Sequence, residues 1–332
     1  MRLEATKETA AGDTLQAPAI ECRQVTKVYR SLWAPRTSAV CALREVSLSM
    51  DRGQIIGLIG PNGAGKSTLL NLMAGLIFPT RGSLRVCGHP ARSYQARRRL
   101  GYMPEHPAFV ERYSARAVLR YHAALLGLPE EALGPQVDKS IEELQMQDFA
   151  DRTCAEFSQG MRQRLALAIA TMSDPQVLLL DEPSNGLDPI GIIQLRDLLR
   201  QLRDRGTAIV ISSHRLGELE KLTSQYLFIH RGRIVTIANH LLPGHAGRLH
   251  VELAPNSDPI ARNVLSQWNV LDKSNGKLTI ALTDPAEAPD IVSDLAHAGA
   301  RITGVLLQRE NIEEAFLRLC NEQEKPCEPT NC

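Results

Sequence analysis

Excess charge of one sign, long apolar runs and paired cysteine motifs are all missing from this 332-residue chain, and each absence closes off a class of protein. Lys and Arg number 38 against 37 Asp and Glu, a formal net charge of +1, so no basic tail or stripe marks an electrostatic nucleic-acid surface. The longest near-continuous apolar stretch, residues 165–172, is about half the ~18 residues that a bilayer-crossing helix needs. The opening MRLEATKETAAGDTLQAP has no apolar segment of the secretory kind. Seven cysteines are scattered with no C-x-x-C among them, which argues against a disulfide framework. Pro329 stands where a C-terminal prenylation box would have its cysteine. What is left, 43% hydrophobic and 23% charged, is the composition of an ordinary soluble globular protein, long enough for about two domains.

Along the chain, IECRQVTKVY and VCALREVSLSM are rich in β-formers and predict antiparallel strands on either side of an inserted loop, RSLWAPRTSA. QIIGLIG is a short buried strand that runs into a glycine-rich turn and an apolar helix. Helical spacing of Val118, Tyr121 and Leu125 predicts a helix over 114–126, and Val137, Ile141 and Leu144 predict another over about 136–147. VLLLD (177–181) and TAIVISS (207–213) have the continuous hydrophobicity of parallel strands covered on both faces. Between them a helix over 190–205 puts Ile192, Leu195, Leu198, Leu199 and Leu202 on one stripe. SQYLFIHRGRIVTI reads as a hairpin turning at Arg231-Gly232. Beyond Pro243-Gly244 the order is β-α-β-β-α-β plus a helix, that of a small ferredoxin-like unit. The run ARRRL reads as a solvated helix end. His230, His240, His245, His250 and His297 have no partners at ligand spacing and read as surface or packing residues.

GPNGAGKS, residues 60–67, fits G-x-x-x-x-G-K-[ST] in full, with a strand before it and a helix after it. Gly60, Gly63 and Gly65 free the backbone so that successive N–H groups point at phosphate oxygens, with Pro61, Asn62, Ala64 and Thr68 completing the cradle. The positive end of the following helix adds to the attraction. Lys66 would neutralise the β- and γ-phosphates, and Ser67 would offer its hydroxyl to Mg²⁺. In VLLLDEP, Asp181 ends a buried strand where it can hold the Mg²⁺ through water. Glu182 beside it is the natural general base for an attacking water.

With these residues and FSQGMRQRLALAIA before the second of the two motifs, the chain resembles the ATP-binding-cassette (ABC) ATPases over roughly residues 20 to 240. The resemblance implies that Ser158, Gln159 and Gly160 bind the γ-phosphate held by an opposite subunit; a Ser–Gly turn opening a helix is an anion site in its own right. This turn departs from the commoner LSGGQ, with Gln159 for the first glycine and Met161 for the glutamine, and stands 23 residues before Asp181. The resemblance further implies that SNGLDP crosses the dimer interface, with Asp188 as its anchoring acid. By the same likeness His214 is the switch histidine, and Tyr29 stacks on adenine, with Trp33 as the alternative platform. Glu105, in LGYMPEHPAF, stands where the family usually has glutamine and would approach Mg²⁺. This P-E form, with SSHRLGELEKL and IEEAFLRL, is similar to ATPases paired with ABC-2 type export permeases, those of bacitracin and lantibiotic exporters among them.

The fold implied is a P-loop NTPase of α/β class: a RecA-like core, an antiparallel β subdomain and a helical subdomain near 105–155. These occupy 19–242, followed by a small α+β ferredoxin-like domain over 246–320, with disordered segments at 1–18 and 321–332. One copy of each motif per chain implies a nucleotide-sandwich dimer using ATP and Mg²⁺. The lack of a span implies a separate integral membrane permease, docked near the helical subdomain, and a place at the cytoplasmic face of the plasma membrane. The competing reading is a soluble ABC ATPase acting mechanically on ribosomes or DNA. The ribosomal kind carries two cassettes, the DNA-repair kind carries coiled coils or zinc clusters, and the neutral charge suits no large nucleic-acid interface.

Overall fold

A computed structural model of the chain describes residues 17–30, 39–213, 222–223, 225–239, 247–254, 268–274, 276–282 and 284–308. Two compact units divide the chain. One comprises Met1–Ile56, Asn62–Ser213 and Arg231–Arg233; the other comprises Gly57–Pro61, His214–His230 and Ile234–Cys332. In chain order the first elements are β1 (Ile20–Tyr29), β2 (Val40–Met50), β3 (Ile55–Ile59) and α1 (Lys66–Met73). Then follow β4 (Arg81–Val86), β5 (His89–Pro90), α2 (Tyr94–Arg97) and β6 (Leu100–Met103). Strands β1 and β2 are antiparallel, running from Ile20 opposite Met50 to Tyr29 opposite Val40, as the β-formers predict. The antiparallel sheet has the order β2-β1-β4-β5. The expected loop over 31–38 lies outside the described residues.

The helical stretch holds α3 (Ala115–Leu125), α4 (Glu130–Glu143) and α5 (Gln159–Thr171). Ser114 caps α3, its Oγ accepting from the Ala117 N–H at 3.2 Å. Helix α3 forms where the spacing of Val118, Tyr121 and Leu125 predicts a helix. Val118 is buried, but Tyr121 and Leu125 are 63% and 65% exposed, and Ala115, Leu119 and Ala123 face inward instead. Small alanines let α3 approach α4 and α5 closely, a gain that bulky Tyr121 and Leu125 would forfeit. Helix α4 begins six residues before the predicted Gln136, because Pro135 is tolerated inside it and Glu130 and Glu131 complement the dipole in its first turn. Its buried face carries Leu133, Val137 and Ile141. Arg116 ties the stretch together, donating to Asp151 at 2.9 Å and pairing with Asp138.

The chain continues with β7 (Val177–Asp181), α6 (Pro189–Asp204), β8 (Ala208–Ser212), β9 (Gln225–His230) and β10 (Arg233–Asn239). Strands β6, β7 and β8 pair in parallel, Leu100 beside Val177 and Val177 beside Ala208. Every residue of β3, β7 and β8 is buried, which is what continuous hydrophobic strands of a covered parallel sheet require. Helix α6 buries Leu195, Leu199 and Leu202. Arg231 and Gly232 both take positive φ, 47° and 77°, the turn geometry a tight hairpin demands and the place where the sequence predicts it.

The last elements are β11 (Gly247–Leu253), β12 (Asn269–Ser274), β13 (Lys277–Leu282), α7 (Ala288–His297) and β14 (Ile302–Gln308). The sheet order is β12-β13-β11-β14, with every neighbouring pair antiparallel. That is the ferredoxin-like order, and its apolar alternation buries Leu249, Val251, Leu278 and Ile280 against Ile291 and Leu295 of α7. The helices expected over 259–268 and 311–319 fall outside the described residues, apart from Trp268. Among the described residues no helix is long and apolar enough to cross a membrane.

Candidate nucleotide-binding and catalytic site

Strand β3 ends at Ile59 and the glycine-rich turn follows at once. Gly63 and Gly65 take φ of 79° and 113°, values that a Cβ would resist; Gly60 is not among the positive-φ positions. Gly65 caps α1 in the left-handed region, and its carbonyl accepts from the Leu69 N–H at 2.9 Å. No acidic residue sits in the first turn of α1, so nothing there competes with an anion for the exposed N–H groups. Lys66 is buried, Ser67 and Thr68 are half-buried, and Pro61 and Asn62 are exposed. Helix α1 lies against β7.

At the end of β7 the carboxylate of Asp181 is 2% exposed and accepts a hydrogen bond of 2.5 Å from Ser212 Oγ on β8. Ser212 also receives the backbone of the next residue. The Glu182 N–H donates to Ser212 Oγ at 3.0 Å and to its carbonyl at 3.2 Å. Glu182 has φ 51°, a conformation that costs a non-glycine residue on the order of 1–3 kcal/mol unless its surroundings hold it. Here the two bonds from Ser212 hold it. Motif reading passes over Ser212; its only sequence signal is a hydroxyl at the end of a buried strand.

Glu105 lies just after β6, and its side chain, 42% exposed, is 3.9 Å from His106 Nε2. Three residues earlier Tyr102 Oη donates to Asn71 Oδ1 of α1 at 2.9 Å, tying the start of the Glu105 segment to the helix after the glycine-rich turn. Burial, reinforced by the charge of Asp181, pushes the Tyr102 phenol up to about 12. The hydroxyl therefore stays a donor across the physiological range.

Ser158 caps α5, its Oγ accepting from the Met161 N–H at 3.3 Å. Asp188 caps α6 in the same way, accepting from Gly191 N–H at 2.8 Å. The Ser158–Gly160 turn and the loop over 184–188 are in close contact, so the structure brings these two motifs of one chain together. Tyr29 is half exposed at the end of β1, with Lys27 Nζ 4.9 Å from its ring centroid. His214 and Trp33 lie outside the described residues.

A glycine-rich turn opens α1, and two successive acids stand at the end of the buried strand on which that helix packs. Over residues 43–185 the chain matches the family described as ABC transporter. It is 32% identical over 311 residues to the uncharacterised ABC transporter ATP-binding protein YhcH of Bacillus subtilis (strain 168), covering 91% of this chain and 96% of YhcH.

The chain belongs to the ABC transporter family.

As an ABC ATP-binding subunit it binds and hydrolyses ATP. The bacitracin transport ATP-binding protein BcrA of Enterococcus faecalis is 32% identical over 305 residues, 90% of this chain and 96% of BcrA. Among solved structures, an ATP-binding subunit of an ABC transporter superposes with a TM-score of 0.60 at 29% identity, over 67% of this chain and 90% of that one. These likenesses favour a transport ATPase over the mechanical alternative on ribosomes or DNA.

Proposed function

We propose that this ABC subunit drives a separate integral membrane permease of the ABC-2 type, in the direction of export, by closing as a dimer on two ATP molecules. The cassette occupies 19–242, with its helical subdomain near 105–155, and 246–320 is an accessory domain. The turn over Gly60–Thr68 wraps the triphosphate, and Tyr29 stacks on adenine. Ser158 and Gly160 of one subunit face the γ-phosphate held by the other, with Gln159 in the turn between them, and Asp188 anchors the loop that crosses between the subunits. The observation that carries the reading is Glu182, held by Ser212 in a strained backbone next to buried Asp181. A backbone fixed in this way pre-organises the Glu182 side chain as general base, and His214 would orient the same water.

Ser67, Asp181 and Glu105 suit Mg²⁺, since that ion takes one or two carboxylates plus substrate phosphates rather than a dedicated protein cage. The described residues accordingly hold no group of three or more acidic, His or Cys side chains able to bind a metal alone. Bound there, Mg²⁺ would neutralise phosphate charge. Exposed Val110 and Tyr113 supply apolar surface in the segment after Glu105 for the permease. The subunit would thus sit at the cytoplasmic face of the plasma membrane through its partner. The similarity to BcrA supports the export direction.

Glu182→Gln tests the core of this reading. Turnover should fall at least ~100-fold, while ATP binding persists and an ATP-dependent dimer accumulates on size exclusion. Wild-type turnover in that variant would remove Glu182 as the base. Co-expression with a membrane protein encoded beside it should give a co-purifying complex. A fully soluble subunit under those conditions would sink the permease assignment.

A further inference from the structure

The turn that opens α5 and the loop after Glu182 touch through two glycines and one departing side chain. A Cβ built on Gly160 would stand 2.8 Å from the carbonyl oxygen of Gly186. A Cβ on Gly186 would stand 2.6, 2.8 and 2.9 Å from Cγ, Cδ and Cβ of Gln159. The aliphatic part of Gln159 therefore lies folded over Gly186, closer than any other residue type at 186 would allow. Gly186 sits at φ 79° in the middle of a braced loop. Behind it Asn185 N–H donates to Glu182 O at 3.2 Å, and Leu187 N–H donates to Ser184 O at 3.2 Å. Ahead of it Asp188 is fixed as the cap of α6. Displacement of Gly186 is thus passed to Glu182 on one side and to Asp188 on the other. Gln159 is also the position where this turn departs from the LSGGQ form; a glycine there has no side chain to make the contact.

We infer that Gln159 is a positioning residue that couples the phosphate-facing start of α5 to the loop between Glu182 and Asp188 of its own subunit. When the α5 N-terminus is drawn onto a γ-phosphate, the Gln159 side chain carries Gly186 with it and sets the loop and Glu182 for hydrolysis. This rests on the ATPase reading above. It adds that the link lies within one chain and acts by packing, not by the amide touching phosphate.

ATPase assays on the full-length protein separate these possibilities. Gln159→Gly should lower kcat about three- to tenfold with the KM for ATP unchanged, because binding is kept and alignment is lost. Gln159→Met, which keeps the length and loses the amide, should recover most of the kcat that Gln159→Gly loses. Gly186→Ala should lower kcat further through the collision, and Gln159→Gly in that background should recover it at least about threefold, the non-additivity of a direct contact. A Gln159→Met variant as slow as Gln159→Gly, wild-type kcat in Gln159→Gly, or a double variant no faster than Gly186→Ala would each overturn the inference. Should Gly186→Ala fail to fold, the Gly and Met substitutions at 159 decide it alone. Failure of the reading of Glu182 as the base would show differently, as full turnover in Glu182→Gln.

Discussion

Ser212 is the residue on which the acids of the site depend. Its hydroxyl donates to Asp181 Oδ1, and its oxygens accept the Glu182 N–H, so one side chain orients a carboxylate and tethers a strained backbone. Ser212→Ala leaves a buried carboxylate oxygen without that donor, which costs on the order of 1–3 kcal/mol. We expect a lower melting temperature and, on the proposal that Asp181 faces Mg²⁺, a roughly tenfold lower kcat. Unchanged kcat with only a lowered melting point would limit Ser212 to stability. The place of Asp181 and Glu182 at the end of a buried strand was legible in VLLLDEP, because continuous hydrophobicity ends there. The role of Ser212 was not, because the bond joins residues 31 apart in sequence and exists only once β7 and β8 pair.

Among the elements, β6 and α5 show how little freedom the packing leaves. A Cβ on Gly101 of β6 would stand 1.9 Å from the carbonyl oxygen of Ala170 in α5 and 3.0 Å from Leu178 Cδ1 of β7. Backbone atoms cannot rotate aside as side chains do, so the strand or the helix must move. Gly101→Ala should destabilise the protein by about 3 kcal/mol or more, read as a melting point lower by several degrees or as loss of soluble protein. A variant as stable as wild type would mean that α5 can slide on the sheet. Helix starts, by contrast, were readable: Ser158 and Asp188 precede their helices as caps, and the structure finds both acting so. The period of Val118, Tyr121 and Leu125 marked α3 as a helix without naming its covered face, and Tyr121 and Leu125 turn out exposed. Periodicity names candidate faces; the neighbours decide which one is covered.

At the scale of the whole molecule, the C-terminal sheet closes a core of its own. Leu249, Val251, Leu253, Leu278, Ile280 and Leu282 pack with Ile291 and Leu295, all drawn from residues after Gly247. A core that draws on no residue of the glycine-rich turn or of β7 predicts that hydrolysis does not require it. Removing residues 243–332 should leave basal kcat within about twofold of the full chain, measured on protein that still shows a cooperative melt. Loss of turnover in a folded truncation would make that segment part of the catalytic assembly.

The sequence by itself determined the chemistry. A phosphate-binding turn needs glycines, a lysine and a hydroxyl in a few consecutive positions, and paired acids need only a buried strand to end beneath them. Such requirements are local, so they are written locally. Tertiary structure alone decided which distant groups met. Ser212 under Asp181, Gly101 against Ala170 and Gln159 over Gly186 are contacts between segments that share no local pattern. They arise because close packing forces remote backbones together, and a side chain's partner is fixed by that approach rather than by its neighbours in the chain.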